Sequence, residues 1–329
     1  MIEVALFGAG RIGTIHAANI ARLRARARLK YVVDVDREAA VELASKYRAE
    51  VRSVDAALGD EAIRAVVIAS STDTHAELIQ KAAAAGKAIF CEKPVDLDIV
   101  RARACAHAIG RTGVVCLIGF QRRYDPTFVA LKQRLDAGEI GNPEMLIITS
   151  RDPGAPPIDY IGHSGGIFKD MLIHDFDVFR WILNDEAASI YATGSCLTDP
   201  AIGGAGDVDS TAVTIRTRHQ RLVQISTSRR AAYGYDQRFE VLGAKGMLQA
   251  GNHKPTEVFA HTAEAISQDK PEHFFLERYR VAYANEMEHF FDAMEQDTAP
   301  RATINDGVKA LELADVATRS WREKRVIEL

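Results

Sequence analysis

Cysteine is scarce and long apolar runs are missing from this chain, and each absence excludes a class of protein. The 329 residues include four cysteines, at 91, 105, 116 and 196, and no two of them have the CxxC spacing. They support neither a disulfide framework nor a zinc site. No run approaches the roughly 20 apolar residues of a membrane span, and the first run, IEVALFGAG, is too short for a signal peptide. We therefore expect a soluble protein of the cytoplasm.

Charge of one sign is not in excess either. The chain has 41 basic and 45 acidic residues and a formal net charge of −4, whereas a nucleic-acid-binding face needs a basic excess. The one basic cluster, ARLRARARLK at 21–30, comes where a helix should end before a strand, and cations are favourable there. We interpret it as solvated surface rather than as a phosphate or partner site, and we expect no nucleic-acid or membrane partner.

The first part of the chain has the pattern of an α/β domain. Hydrophobic residues make up 47% of the chain, which allows large cores, and its length suggests about two domains. Up to residue 119, short apolar runs alternate with helical patterns such as DREAAVELASKY and HAELIQKAAAAG. This alternation is typical of a doubly wound parallel sheet whose strands are buried on both faces. The predicted strands are VALF (4–7), YVV (31–33), AVVIAS (65–70), AIFC (88–91) and VVCLIG (114–119).

The pattern changes after residue 119. A helix around 168–183 is followed by runs with period-two alternation: SIYATGS, STAVTIRT, LVQISTS and RFEVLG. They predict antiparallel strands with one covered face, and DGVKALELADVATRSWREK returns to a helical pattern. We therefore predict a doubly wound dinucleotide-binding domain at 1–119 and an α+β domain with a mostly antiparallel, open-faced sheet at 120–329. The last helix could pack back on the first domain.

A glycine motif supports the nucleotide assignment. GAGRIG places Gly8, Gly10 and Gly13 in the GxGxxG spacing, directly after the first strand and at the start of a helix. The first glycine permits a tight turn, the second lets a pyrophosphate approach the backbone, and the third lets the helix pack closely, with its N-terminus facing the phosphates. Arg11 and Ile12 lie in the same loop, and Arg11 could cover the diphosphate or face solvent.

Acidic residues after the second strand bear on the choice of dinucleotide. Asp34 follows the motif by about 20 residues, where an acid should receive the adenosine ribose hydroxyls. A carboxylate accepts from two hydroxyls but repels a 2′-phosphate. Asp36 adds to that repulsion, whereas Arg37 could offset it. We therefore predict NAD rather than NADP.

The segment CEKP (91–94) follows a predicted strand, and open α/β sheets bind ligands beyond the carboxyl ends of their strands. Glu92 and Lys93 should therefore lie near the nicotinamide, and the bond to Pro94 could be cis; the alternative is a lysine in an ordinary loop. Ser70, at the end of another strand, is assigned to the same cofactor site. His75 could line the nicotinamide pocket or pack at a helix N-terminus.

An apolar stretch in the second half carries KDMLIHDFD (169–177), in which Asp170, His174 and Asp177 stand at i, i+4 and i+7. Those steps place the three side chains on one face of a helix. They form either a solvated polar face or an acid–base pair directed into a cleft. Asp177 could bind a substrate hydroxyl or cap a surface face.

Three further residues are candidates for contact with the substrate, each with a structural alternative. Arg123 in QRRYD should begin the second domain and face the cleft, or else form an ion pair. Asp152 in RDPGAPP is open to either role, and Tyr235 in YGYDQR could reach a hydroxyl or pack in the core.

NEMEH has a single histidine, His289, with no partner at i−4, so we predict no metal site.

Together, GAGRIG, SSTDTHAEL, CEKP, GFQRRYD and GGIFKDMLIHDFDVFRWIL resemble the Gfo/Idh/MocA oxidoreductases over essentially the whole chain, and in detail their inositol 2-dehydrogenase branch. The resemblance implies a Rossmann domain, NAD as cofactor, a homotetramer, and a catalytic group of Lys93, Asp170 and His174. In such a group His174 would be the general base, because its reference pKa is near neutrality. Asp170 would orient it, and Lys93 would stabilise alkoxide character.

The resemblance therefore implies NAD-dependent oxidation of a ring hydroxyl of an inositol, with myo-inositol giving 2-keto-myo-inositol. One alternative is a dehydrogenase of the same family that acts on an aldopyranose or another polyol, since these also present rings of hydroxyls. Another is a regulator that binds the dinucleotide without turnover. The presence of both Lys93 and His174 argues against the regulator.

Overall fold

The structure is a computed structural model that describes residues 1–329. It divides into two compact units. The first unit comprises Met1–Tyr124 and Ala282–Leu311, and the second comprises Asp125–Val281 and Glu312–Leu329. None of the helices has both the length and the apolar character needed to cross a membrane.

Residues 1–124 alternate between strands and helices, as the apolar runs predict. The elements are β1 (Ile2–Phe7), α1 (Arg11–Arg22), β2 (Ala27–Val33), α2 (Arg37–Tyr47), β3 (Glu50–Val51), α3 (Val54–Gly59), β4 (Ile63–Ile68), α4 (Thr72–Ala84), β5 (Ala88–Glu92), α5 (Ile99–Thr112), β6 (Cys116–Gly119) and a 3-10 helix (Gln121–Tyr124). The six strands form one parallel sheet in the order β3-β2-β1-β4-β5-β6. The predicted doubly wound parallel sheet is confirmed, and its strand order is that of a Rossmann domain.

The remaining residues contain one large sheet, a small hairpin and helices that belong partly to the second unit and partly, over Ala282–Leu311, to the first. The elements are α6 (Pro126–Asp136), β7 (Pro143–Arg151), α7 (Ile158–His163), α8 (Ile167–Asp170), α9 (Ile173–Leu183), β8 (Ala187–Ser195), α10 (Pro200–Gly204), β9 (Ser210–Thr217), β10 (Leu222–Ser228), β11 (Asp236–Gly243), β12 (Gly246–Ala250), β13 (Phe259–His261), β14 (Ile266–Gln268), α11 (Phe275–Arg278), α12 (Arg280–Gln296), α13 (Ile304–Glu323) and β15 (Ile327–Glu328).

The large sheet of the second unit has the order β12-β11-β7-β10-β9-β8-β15. Its strands pair antiparallel except for β7 and β10, which are parallel. Along β9 and β10 buried and exposed residues alternate, with Val213, Ile215, Val223 and Ile225 in the core. The predicted mostly antiparallel sheet with one covered face is therefore confirmed. The strand β7 and the short strands after β11 were not predicted.

The helix predicted around 168–183 is wrong in one respect, because it is interrupted. The helix α8 ends at Asp170 and α9 begins at Ile173. Between them the N–H of Leu172 donates to the carbonyl of Ile167, five residues back, at 3.1 Å. This bond is wider than the i to i−4 bond of an α-helix and divides the segment. Asp170 and His174 therefore lie on either side of a break, while Asp177 shares α9 with His174.

Candidate active site

The glycine loop of the first unit has the geometry that a dinucleotide requires. Gly8 has a φ of +107°, and a Cβ there would lie 2.4 Å from the carbonyl oxygen of Ala69. A Cβ at Gly13 would lie 2.0 Å from the carbonyl oxygen of Gly8, so neither position admits a side chain. In contrast, nothing lies within 4 Å of a Cβ placed on Gly10, which leaves the backbone open to a ligand.

The N-terminus of α1 is available to an anion. The helix begins at Arg11, which is exposed, and Ile12 follows in its first turn. Its N-cap, Gly10, provides no side-chain hydrogen bond, so the first N–H groups and the positive end of the helix dipole remain for a phosphate. The predicted position of the diphosphate therefore fits the local geometry.

Asp34 lies at the carboxyl end of β2, beside the same loop. Its Oδ2 accepts from the backbone N–H of Ala9 at 2.5 Å, and its Oδ1 accepts from the N–H of Asp36 at 2.8 Å. Asp36 is occupied as the N-cap of α2, where its Oδ1 accepts from the N–H groups of Glu38 and Ala39. Asp34 is therefore the carboxylate held against the glycine loop, where a ribose should bind.

Residues after β4 and β5 form a connected set at the same edge of the sheet. His75 is buried, with Nδ1 2.7 Å from the carbonyl oxygen of Pro94 and Nε2 3.1 Å from that of Ser70. The Lys93–Pro94 peptide bond is cis. His75 thus connects the turn after β4 with the turn that carries Lys93. Its observed contacts are with the backbone, in keeping with the packing alternative for this residue.

A second buried histidine contacts the residue before Lys93. His16 on α1 is 0% exposed, and its Nε2 lies 2.7 Å from Oε1 of Glu92. Sequence reasoning did not single out His16, because it stands among apolar helix residues and its partner is 76 residues away. Its position on the same helix as the glycine motif is the only local signal.

In the second unit, Asp170 at the end of α8 is held on both carboxylate oxygens. Oδ1 accepts from the hydroxyl of Tyr160 at 3.0 Å, and Oδ2 accepts from Nη2 of Arg229 at 3.2 Å. Tyr160 lies on α7 and is 49% exposed, but burial of its hydroxyl and the Asp170 carboxylate raise its pKa. Arg229 is 1% exposed. Neither residue was predicted from the sequence.

A signal for Arg229 does exist in the sequence. In β10 the odd-numbered residues Val223, Ile225 and Thr227 are buried, and Arg229 continues this parity just beyond the end of the strand. An arginine on the inward-facing side of a strand must be paired. The alternation of LVQISTSR therefore indicates a buried charge, although not its partner.

The other predicted residues of the second unit lie near the ends of its elements. His174 is in the first turn of α9 and is 9% exposed, and Asp177 is fully buried one turn later. Asp152 follows β7 and exchanges backbone hydrogen bonds with Ser228 and Ala231. Tyr235 precedes β11, is buried, and packs edge-on against Tyr279 with ring centroids 5.9 Å apart.

Arg123 differs from the expectation for a residue facing a cleft in the second domain. It lies in the 3-10 helix of the first unit and is buried. Its Nη2 pairs with Oδ1 of Asp306 at 3.0 Å, and its Nη1 donates to the carbonyl of Arg301 at 2.6 Å. These contacts favour the ion-pair alternative, because a buried guanidinium held by a carboxylate and a carbonyl is already satisfied.

The strand order, the glycine loop and Asp34 define a dinucleotide-binding protein of the Rossmann class. Residues 2–120 match the family model described as an oxidoreductase family, NAD-binding Rossmann fold, and residues 132–329 match its C-terminal alpha/beta domain. The chain belongs to this family, the Gfo/Idh/MocA oxidoreductases. The predicted family and NAD cofactor are confirmed.

Relatives with known names are similar over their whole length. The chain is 49% identical to an inositol 2-dehydrogenase of Rhizobium meliloti over 328 residues, which covers 100% of this chain and 99% of the relative. It is 41% identical to a myo-inositol 2-dehydrogenase of Thermotoga maritima, with coverage of 100% and 98%. The crystal structure of a myo-inositol dehydrogenase from Corynebacterium glutamicum has a TM-score of 0.96 at 42% identity, with coverage of 100% and 99%.

A further solved structure was determined with ligands. It is a scyllo-inositol dehydrogenase from Lactobacillus casei with bound NAD(H) and scyllo-inositol. It is 28% identical to this chain, with a TM-score of 0.93 and coverage of 100% of this chain and 99% of the other.

Proposed function

We propose that this protein is an NAD-dependent inositol dehydrogenase that oxidises one ring hydroxyl, with myo-inositol giving 2-keto-myo-inositol. The observation that carries the proposal is the 49% identity, over the full length of both chains, to an inositol 2-dehydrogenase. The chain also has the residue types that such a reaction requires, with Lys93 in the first unit and Asp170 and His174 in the second.

NAD, when bound, supplies the hydride acceptor. The N–H groups at the start of α1 and the backbone at Gly10 hold the diphosphate, and the carboxylate of Asp34 receives the ribose hydroxyls. Because Asp34 is anionic, it disfavours the 2′-phosphate of NADP. Ser70, His75 and Glu92 shape the edge of the sheet on which Lys93 is presented.

The substrate hydroxyl must lose a proton as its carbon loses a hydride, and a free alcohol is too weak an acid to do so unaided near pH 7. We assign the general base to His174. Asp170 orients the imidazole and stabilises its protonated form. The ammonium of Lys93 stabilises negative charge on the substrate oxygen. Asp152, Asp177 and Tyr235 are proposed to bind the remaining ring hydroxyls.

We also propose that the protein is a homotetramer that uses the open face of the large sheet. Leu222, Met145, Leu242 and Met247 are paired across four neighbouring strands, β10, β7, β11 and β12. Paired residues point to the same face of a sheet, and three of the four are among the exposed large hydrophobic residues of the chain. A second copy would cover this apolar row.

A cytoplasmic location is part of the proposal, because all four cysteines are free thiols.

The test is an absorbance assay at 340 nm with purified protein and either NAD or NADP. The substrates are myo-, scyllo- and chiro-inositol together with D-glucose and D-xylose. We expect the highest kcat/KM with an inositol and NAD. A preference for a pyranose would replace the proposed substrate by an aldose, and no turnover with any of the five would favour a regulator.

A further inference from the structure

A buried arginine, Arg229, contacts one carboxylate at each end of helix α8. Its Nη2 lies 3.2 Å from Oδ2 of Asp170 and 3.9 Å from Oδ2 of Asp207. Asp170 is the last residue of α8. Asp207 accepts at the other end, from the N–H of Ile167, at 3.1 Å and 3.0 Å from its two oxygens. The guanidinium of Arg229 therefore contacts both carboxylates. One belongs to Asp170, the last residue of α8, and the other belongs to Asp207, which accepts a hydrogen bond from the first N–H of the helix.

Because Arg229 is buried, losing its contact with Asp170 would be strongly unfavourable in free energy. The side chain is 1% exposed and is one of the largest fully buried side chains of the chain. Its backbone is fixed as well, because its N–H donates to the carbonyl of Asp209 at 2.8 Å. A buried cation without a partner is strongly unfavourable, and removing one member of a buried pair leaves the other uncompensated. The position of Arg229 and that of Asp170 are therefore coupled.

We propose that Arg229 is a positioning residue for the oxidation: it holds the carboxylate of Asp170 in the orientation that His174 requires. It acts through Asp170 and not on the reacting atoms. This role rests on the proposed function, because it depends on Asp170 and His174 acting as one unit. The hydroxyl of Tyr160 holds the other oxygen of the same carboxylate at 3.0 Å.

The neighbouring residue provides a matched control. Arg230 follows Arg229 directly but is exposed, and it donates to the carbonyl of Leu197 at 3.2 Å. Replacing it removes the same charge from the same segment without affecting Asp170.

The first measurement is the kcat of Arg229→Gln and Arg229→Lys with NAD and the best substrate of the wild-type enzyme. A displacement of about 1 Å in a catalytic group can lower the rate about 100-fold, so we expect Arg229→Gln to lower kcat by about 10- to 100-fold. Arg229→Lys, which keeps the charge but not the planar geometry, should lie between it and the wild type. The KM for NAD should stay within about twofold, and Arg230→Gln should keep most of the activity.

The decisive measurement is a double-mutant cycle with Asp170→Asn, because residues that act as a unit are non-additive. In the Arg229→Gln background, Asp170→Asn should lower kcat much less than it does in the wild type. Multiplicative effects of the two substitutions would overturn the positioning role, as would a wild-type kcat in Arg229→Gln. If Arg229→Gln does not fold, the cycle is measured with Arg229→Lys, and the same additivity criterion applies.

Failure of the proposed function and failure of the positioning role of Arg229 give different experimental results. If the wild-type enzyme oxidises a pyranose and no inositol, the proposed substrate is wrong, but the cycle can be measured with that pyranose. If the wild-type enzyme oxidises an inositol and the cycle is additive, the function stands and the role of Arg229 does not.

Discussion

The Nε2 of His16 lies 2.7 Å from Oε1 of Glu92 in the interior of the first unit. This contact joins α1, which carries the glycine motif, to the residue directly before Lys93. The imidazole is also packed edge-on against Phe90, with ring centroids 4.7 Å apart. The side of Glu92 away from His16 faces Gly119, where a Cβ would lie 2.9 Å from Oε2. Glu92 therefore has little room to move.

We expect Gly119→Ala to displace the Glu92 carboxylate from His16, because the added methyl group and the carboxylate cannot both occupy their present positions. Through Glu92 it should shift Lys93 and lower kcat about 10-fold or more. The matched control is Gly110→Ala on α5, where nothing lies within 4 Å of the added Cβ. This control should keep full activity and raise stability by up to about 1 kcal/mol. Equal kcat for Gly119→Ala and the wild type would contradict the expectation.

Cofactor preference should depend on Asp34. We expect Asp34→Ser to narrow the ratio of kcat/KM for NAD over that for NADP, because the anion that opposes a 2′-phosphate is gone. Asp36→Asn is the control, since asparagine keeps the cap of α2 while removing a charge; it should change the ratio less. Steady-state kinetics with both cofactors measures this. A wild-type enzyme that uses both cofactors equally would show that Asp34 does not discriminate.

Catalysis should depend on His174 and Asp170 together. General-base catalysis typically contributes about 10²–10⁴-fold, so we expect His174→Ala to lower kcat by at least that order and Asp170→Asn by less. The double variant should be little worse than His174→Ala. The Kd for NAD, measured by fluorescence, should be unchanged, because the dinucleotide motif is in the first unit. His261→Ala, at an exposed histidine of β13, is the control. Near-normal turnover in His174→Ala would make Lys93 the leading candidate for the base.

Assembly should depend on the apolar row of the large sheet. Leu242 stands opposite both Met145 and Met247, so we expect Leu242→Glu to place a charge at the centre of the contact and to lower the mass measured by light scattering. Val41→Glu, at an exposed position on α2 in the first unit, should leave the mass unchanged. A monomeric wild-type protein at micromolar concentration would refute the proposed tetramer.

Acid stability should depend on Asp209, which is buried. Burial by itself raises the pKa of Asp209, but hydrogen bonds from the backbone N–H groups of Leu197, Thr198 and Asp199 and from the Ser210 hydroxyl lower it to about 2. Because the folded pKa lies below the unfolded value of about 3.9, its stabilisation is present above pH 4 and is lost as pH falls towards 2.

We therefore expect Asp209→Asn to lower the free energy of unfolding by about 1–3 kcal/mol near pH 7. The difference from the wild type should shrink between about pH 4 and pH 2. Urea unfolding at a series of pH values measures this. A difference that does not change with pH would show that the carboxylate charge contributes nothing.

Much of the fold could be predicted because it depends on patterns that repeat within a few residues. The runs STAVTIRT and LVQISTS coincide with β9 and β10, since alternation records which face of a strand is buried. GAGRIG was informative because Gly8 and Gly13 meet backbone atoms that admit no side chain. The short strand β3 was missed, because two residues are too few to show a period.

The sequence by itself determined the class of fold, the dinucleotide loop and the candidate lysine, aspartate and histidine. Only the tertiary structure decided which buried polar groups meet: His16 with Glu92, Arg229 with Asp170, and Arg123 with Asp306. Periodicity shows that a polar side chain faces inward but not which distant carboxylate lies opposite, because that depends on how strands and helices pack. The break between α8 and α9 was also hidden in the sequence, because the helical spacing of Asp170 and His174 continues across it.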